Sequence, residues 1–200
     1  MRVLKFGGSS IADTNNIRAV AEIVGKRKAE RLAIVFSAMQ GVTDALIDAG
    51  RLAEAGDDGF IARIAEIREK HFETVYDLFG DEIPGKIEEY IDSAIKDLGD
   101  TCEGVRLVRE LSSRTLDRIL SFGELAASNI ISTYFASAGI ANLWKDSREI
   151  IKTDSAFGAA TVDFSKSEIL IKEFFAPRSE NVFVFPGFIG SDGSNSTTTL

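Results

Sequence analysis

One cysteine, one histidine and three prolines among 200 residues leave several chemistries without material. Cys102 can form no disulfide within the chain and no thiolate cluster; a lone cysteine is ordinarily a small buried hydrophobe. His71 has no second imidazole or cysteine cluster with which to hold zinc. It falls among apolar residues at helical spacing, so a partly buried structural histidine is expected. Cations are scarce as well: 23 Lys and Arg against 31 Asp and Glu give a net charge of −8. That balance argues against broad binding to nucleic acid or to an anionic membrane surface. No run reaches the roughly 20 apolar residues of a membrane span, and the start Met1–Gly8 has no signal-peptide apolar region. The expected compartment is the cytoplasm, where the sequon Asn195-Ser196-Thr197 carries no meaning.

What is present suits one domain with a sizeable core: 44% of residues are hydrophobic and 27% charged. Val3–Phe6 reads as a buried strand, followed by a helix capped at Asp13 or Thr14 with the apolar stripe Ile17, Val20, Ala21 and Val24. The continuous apolar run Leu32–Ser37 predicts a strand covered on both faces, and a helix begins near Val42. This β-α-β-α order implies a parallel sheet with right-handed crossovers. From Gly59 to about Leu111 no strand pattern occurs. Apolar stripes predict helices over 60–78 and 83–98, and a third beginning at Val105, so residues from about 59 to 115 read as a helical insertion or subdomain. Leu116–Ala138 is helical with a break expected at Ser121–Glu124. Ala141–Trp144 and Val182–Phe185 read as strands, with a helix over Phe164–Phe175 between them.

Two familiar nucleotide signatures fail. Gly80–Lys86 has the glycine and lysine spacing of a P-loop, but the next residue is Ile87 where a hydroxyl is needed, and the segment follows a helix. The dinucleotide fingerprint is missing at the first strand-to-helix turn. That turn carries something else: Lys5-Phe6-Gly7-Gly8-Ser9-Ser10. Paired glycines expose backbone N–H groups, the lysine supplies a point charge and the hydroxyls supply neutral donors, a set that suits phosphate. A tight turn with an incidental lysine is the ordinary alternative. Other polar groups also follow strands: Ser37, Gln40 and Thr43; Thr153, Asp154 and Ser155; Gly187 and Gly190. In an open α/β sheet these carboxyl ends share one edge, where ligands bind. Glu124, placed at the expected helix break, either faces that edge or complements a helix dipole.

Five blocks, in order, resemble aspartokinase: residues 5–10, Ser37–Asp44, Ser121–Glu124, Lys152–Gly158 and Gly187–Gly190, with Thr197–Leu200 at the end. The wider resemblance is to the amino-acid kinase superfamily, an α/β/α sandwich. It implies an α/β fold with a mostly parallel sheet and a helical insertion, residues 1–200 forming the N-terminal part of the catalytic domain. The implied activity is ATP-dependent phosphorylation of the β-carboxylate of L-aspartate, the first step toward lysine, threonine and methionine, with Mg²⁺ as cofactor and a homo-oligomeric, cytoplasmic parent. Lys5 would bridge the ATP phosphates and neutralise charge during transfer. Gly7, Gly8 and Ser9 would donate to the same phosphates, Ser9 standing where the family more often has threonine. Ser37 and Thr43 would contact aspartate, Glu124 would bind its ammonium group, and Asp154 would line the cleft; no metal ligand is expected. The family continues past Thr-Thr-Thr-Leu with Gly-Arg-Gly-Gly-Ser-Asp, whose arginine and aspartate serve the substrate and the transfer. Neither is among these 200 residues, so the chain by itself is expected to be an inactive, truncated piece. A glutamate or acetylglutamate kinase, or a non-catalytic nucleotide-binding fragment, is the alternative.

Overall fold

The structure is a computed structural model describing residues 1–200. In chain order the elements are β1 (Arg2–Phe6), α1 (Thr14–Gly25), β2 (Leu32–Phe36), α2 (Val42–Ala55), α3 (Gly59–Phe79), α4 (Gly85–Val108) and α5 (Ser113–Ser137). There follow β3 (Leu143–Trp144), α6 (Phe164–Phe175), β4 (Val182–Pro186), β5 (Ile189–Ser191) and β6 (Thr197–Thr199). Four strands form a sheet in the order β1-β2-β4-β3, each pair parallel. β5 and β6 pair antiparallel beside it.

Side-chain alternation along each strand divides the core. Leu32, Ile34 and Phe36 join Val182 and Val184 beneath α1 and α5. There the Phe36 ring lies 5.6 Å from Phe6 and 6.1 Å from Phe135 of α5. The opposite face, with Ala33, Phe183 and Phe185, packs on Phe174 of α6. Helices on both faces of a parallel sheet make the expected sandwich. The second face is only partly covered: Val3 is 67% exposed and Lys5 lies open beside it.

The helical stretch after α2 has no core of its own. Phe60, Ile67, Ile91 and Val105 belong to the same 36-residue cluster as the sheet, which makes α3 and α4 part of one domain's packing. Three local expectations need correction. No helix starts at Val105: α4 runs on to Val108, because Ile91, Leu98, Cys102 and Val105 are one buried stripe, and it stops at Arg109 in a left-handed conformation (φ 58°). Nor is α5 broken at Ser121–Glu124. Gly123 serves close approach there: a Cβ would lie 2.7 Å from that of Ala38 and 3.4 Å from Val42 Cγ1. The strand expected over Ala141–Trp144 shrinks to two residues. The Ile140 N–H instead closes the end of α5 on Phe135 O, and the Asn142 carboxamide donates to the Ser132 and Ile140 carbonyls.

Cys102 is a buried free thiol. His71 is more deeply buried than expected, at 0% exposure. Its Nδ1 bonds Ile67 O at 2.7 Å, its ring meets Phe122 edge-on at 5.1 Å, and its Nε2 has no partner. Burial holds its pKa down at about 4, against 6.5 for the free group. The unfolded chain therefore takes up this proton first as pH falls. The stabilisation is complete above pH 6.5 and is lost between 6.5 and about 4. Relative to a His71→Leu variant, the protein should lose about 3 kcal/mol over that interval. Urea unfolding at several pH values measures this; parallel curves for the two proteins would disprove it.

Candidate functional site

Because the strands of the main sheet are parallel, β1, β2 and β4 all end on one edge. The Ser37 N–H donates to Phe6 O (3.2 Å) and the Gly187 N–H to Phe36 O (2.7 Å), so the three exits are tied side by side. After β1 the chain passes Gly7 into a short 3-10 turn, Gly8–Ile11, and then α1, which Asp13 caps through the Asn16 N–H (2.9 Å). The Gly7 N–H donates to no group of the chain, and nothing lies within 4 Å of where its Cβ would be. Gly8 is hemmed in: a Cβ there would meet Ala38 O at 2.9 Å. Lys5 and Ser9 are exposed on either side of these glycines.

The loop after β2 runs Ser37–Gly41 into α2. Gly41 takes φ 81° and provides no side-chain cap, so the first N–H groups of α2 lack a side-chain acceptor. Thr43 sits in that first turn. The hydroxyls of Ser37 and Thr43 are not sequestered, since His71 Nε2 is the buried side-chain polar atom left without a partner. From α3, the Lys70 ammonium donates to Gln40 O (2.7 Å) and Thr74 Oγ1 reaches Met39 Sδ (3.7 Å), bracing the loop from behind.

Glu124 comes to the same loop from α5. It is 4% exposed, and its Oε1 accepts the Ala38 N–H at 3.2 Å. Its position in the middle of an unbroken helix removes the dipole-complementing alternative. Burial pushes its pKa up to about 7, opposed by the Ala38 N–H, which favours the charged form. A buried carboxylate with one backbone donor and no cation is arranged to welcome a positive ligand.

Gly8, Ser37, Thr43 and Glu124 thus gather around one loop. Asp154 is placed differently. It is exposed, and its Oδ1 accepts the Thr161 (3.0 Å) and Ala156 (3.1 Å) N–H groups, which hold the carboxyl below its ordinary range. Two further residues escaped the sequence reading. Phe188, beside Gly187, is 40% exposed at φ 63°, a conformation that bulky side chains seldom adopt. Asp117, two turns before Glu124 on α5, is wholly buried and bonded to Gly158 and Thr199. Its spacing from Glu124 was visible; its burial was not. A cavity of about 1180 Å³ lies elsewhere, between α4, the start of α5 and the β5–β6 turn. Its lining carries charges of both signs, Arg114, Arg118 and Arg148 as well as Asp97, Asp100 and Glu110. Its volume is that of a gap between elements, and the converging donors at the sheet edge are the better guide to chemistry.

A sequence model of the amino acid kinase family matches residues 1–199. The chain belongs to that family. It is 29% identical over 199 residues to the lysine-sensitive aspartokinase 3 of Escherichia coli, matching 99% of this chain and 42% of that protein. Identity is also 29% to a bifunctional aspartokinase/homoserine dehydrogenase of Arabidopsis thaliana, matching 99% of this chain and 22% of that one. The fold superposes on E. coli aspartokinase III in complex with lysine and aspartate with a TM-score of 0.90 (29% identity, 100% of this chain, 43% of that one). Against the same enzyme with aspartate and ADP the TM-score is 0.88 (27% identity, 43% of that chain). The chain therefore spans less than half the length of these relatives.

The raised Glu124 pKa has a measurable consequence for this kinase-family fold. The folded state holds this proton up to about pH 7 and the unfolded state only to about 4.5. The associated stability is complete below 4.5 and is lost as pH rises through 7. Glu124→Gln, which cannot ionise, should therefore be the more stable protein above pH 7, by about 3 kcal/mol, with no gain near pH 4.5. Urea unfolding at pH 5 and pH 8 measures the difference, and an equal offset at both would refute it.

Proposed function

We propose that the protein carrying these residues transfers the γ-phosphoryl group of ATP to the β-carboxylate of L-aspartate, giving 4-phospho-L-aspartate and ADP. The observation that carries the reading is Glu124, a buried carboxylate held at the ligand edge by the Ala38 N–H with no cation beside it. An amino acid's ammonium group would supply the missing charge and return the carboxyl to its ionised state. The Ser37 and Thr43 hydroxyls and the uncapped start of α2 offer donors suited to the substrate's carboxylates. The Gly7 N–H, Ser9 and Lys5 supply donors and charge for the nucleotide phosphates on the adjoining exit. Further support comes from the E. coli relative, of like fold, described in complex with aspartate and ADP.

In the reaction a β-carboxylate oxygen of aspartate forms a bond to the γ-phosphorus while the bond from that phosphorus to the β,γ-bridging oxygen breaks. The electron pair leaves with ADP. No general base is required, because the nucleophile is already an anion, and the protein's work is positioning and charge neutralisation. Nowhere do three His, Cys, Asp or Glu side chains converge, so the chain offers Mg²⁺ no cage of its own. The ion would arrive on the nucleotide phosphates. The arginine and aspartate that follow Leu200 in the aspartokinase pattern are part of the reading, and the 200 residues alone are expected to be inactive. The product's place at the head of lysine, threonine and methionine synthesis is likewise part of the proposal.

Two substitutions in the full-length protein test the assignment. Glu124→Gln should raise KM for aspartate by about 10- to 100-fold, the range for losing a charge-assisted bond, and leave KM for ATP nearly unchanged. Steady-state kinetics with each substrate varied in turn reads this; equal effects on both would unseat the ammonium site. Lys5→Ala should lower kcat by roughly 10²- to 10³-fold with the fold intact by circular dichroism. Near-normal turnover would remove Lys5 from the phosphate site.

A further inference from the structure

Asp117 is 0% exposed and has no salt-bridge partner, yet it is fully engaged. Its Oδ2 accepts the Gly158 N–H and the Thr199 N–H, each at 3.0 Å, and its Oδ1 accepts the Thr199 hydroxyl at 2.7 Å. A carboxylate buried without a cation is costly to keep. Its partners lie 41 and 82 residues away along the chain, so it is no local turn device. Asp192 bonds Ser194 and Ser196 within its own turn and also accepts the Ser155 hydroxyl (2.9 Å), a second carboxylate that holds the 153–160 segment in place.

What Asp117 joins is the rest of the ligand edge. Thr199 O in turn accepts the Ala160 N–H (2.8 Å), and the Thr198 and Thr153 hydroxyls bond at 2.8 Å. The Leu200 N–H donates to Phe188 O (3.0 Å). Hydrogen bonds therefore tie residues 153–160, β6 and the turn at Phe188 to one another, and Asp117 fastens them to α5. Seven residues further along the same unbroken helix stands Glu124. Seven residues are close to two whole turns, so the two carboxylates share one face, about 10 Å apart along the axis.

We propose that Asp117 is a positioning residue: it pins β6 and the Gly158 turn to the helix that carries Glu124, and so holds the aspartate side of the cleft in register with the ammonium-binding carboxylate. The proposal rests on the reading of Glu124 given above. Asp117→Asn keeps the size but turns an amide toward N–H donors. In the 200-residue chain, the Gly158 and Thr199 amides should then exchange with deuterium about tenfold faster, while those of Ile34 and Val184 in the sheet keep their rates. In the full-length protein KM for aspartate should rise about tenfold with KM for ATP unchanged. Thr199→Val, which removes only the hydroxyl bond, should act in the same direction more weakly, and Thr199→Ser should behave as wild type. The Thr199 pair decides the matter if Asp117→Asn does not fold. Unchanged exchange at Gly158 and Thr199 would overturn the proposal. So would faster exchange throughout the sheet with both KM values raised together, the mark of a merely structural role. If the unsubstituted protein shows no aspartate-dependent turnover, the reading of Glu124 falls, and the exchange rates alone decide whether Asp117 pins these segments.

Discussion

At Gly123 the backbone of α5 comes so near Ala38 that a Cβ would sit 2.7 Å from the Ala38 side chain. Gly8 also comes close to this loop: a Cβ there would lie 2.9 Å from Ala38 O. The loop after β2 is thus gripped between the exit of β1 and a helix from a distant part of the chain. The grip brings the Glu124 carboxylate within reach of the Ala38 N–H and excludes water from it. The position of the Glu124 carboxylate, its raised pKa and the placement of Ser37 and Thr43 all follow from two glycines that let backbones come close.

Behind the loop, the same packing buries His71 against Phe122. The two buried titratable groups act on stability in opposite senses. As pH rises between about 4.5 and 6.5, His71 adds stability, because the unfolded chain binds the extra proton, while Glu124 removes it, because the folded chain does. Over that interval the slopes nearly cancel. A ligand cation on Glu124 would remove one half of this balance, so occupancy of the site and acid sensitivity of the fold are linked.

Much of the architecture was legible because its determinants are local. Leu32–Phe36 is a continuous apolar run, and α6 spans the expected Phe164–Phe175. The edge-lining residues Ser37, Thr43 and Gly8 could be placed from strand ends alone. What could not be read depends on tertiary contact. The break expected at Gly123 assumed that glycine weakens a helix, whereas here it admits a neighbour. Asp117 looks like any surface acid until Gly158 and Thr199 are seen to point their N–H groups at it. Asp154 shows the converse, a carboxylate at a strand exit that the backbone of its own loop has taken up.

The sheet's connectivity also sets an order of events during synthesis. β2 pairs on one side with β1, which precedes it, and on the other with β4, where Leu32 faces Val182. Until that late strand emerges, Leu32–Phe36 presents an unpaired apolar edge, although the helices between can form as they appear. At a ribosomal rate of roughly 5–20 residues per second, that edge stays open for on the order of ten seconds. Such an interval favours strand-to-strand association between nascent chains. Helix α5, which packs against β2 in the finished molecule, is available before β4 and can shield one face of the strand while its edge waits.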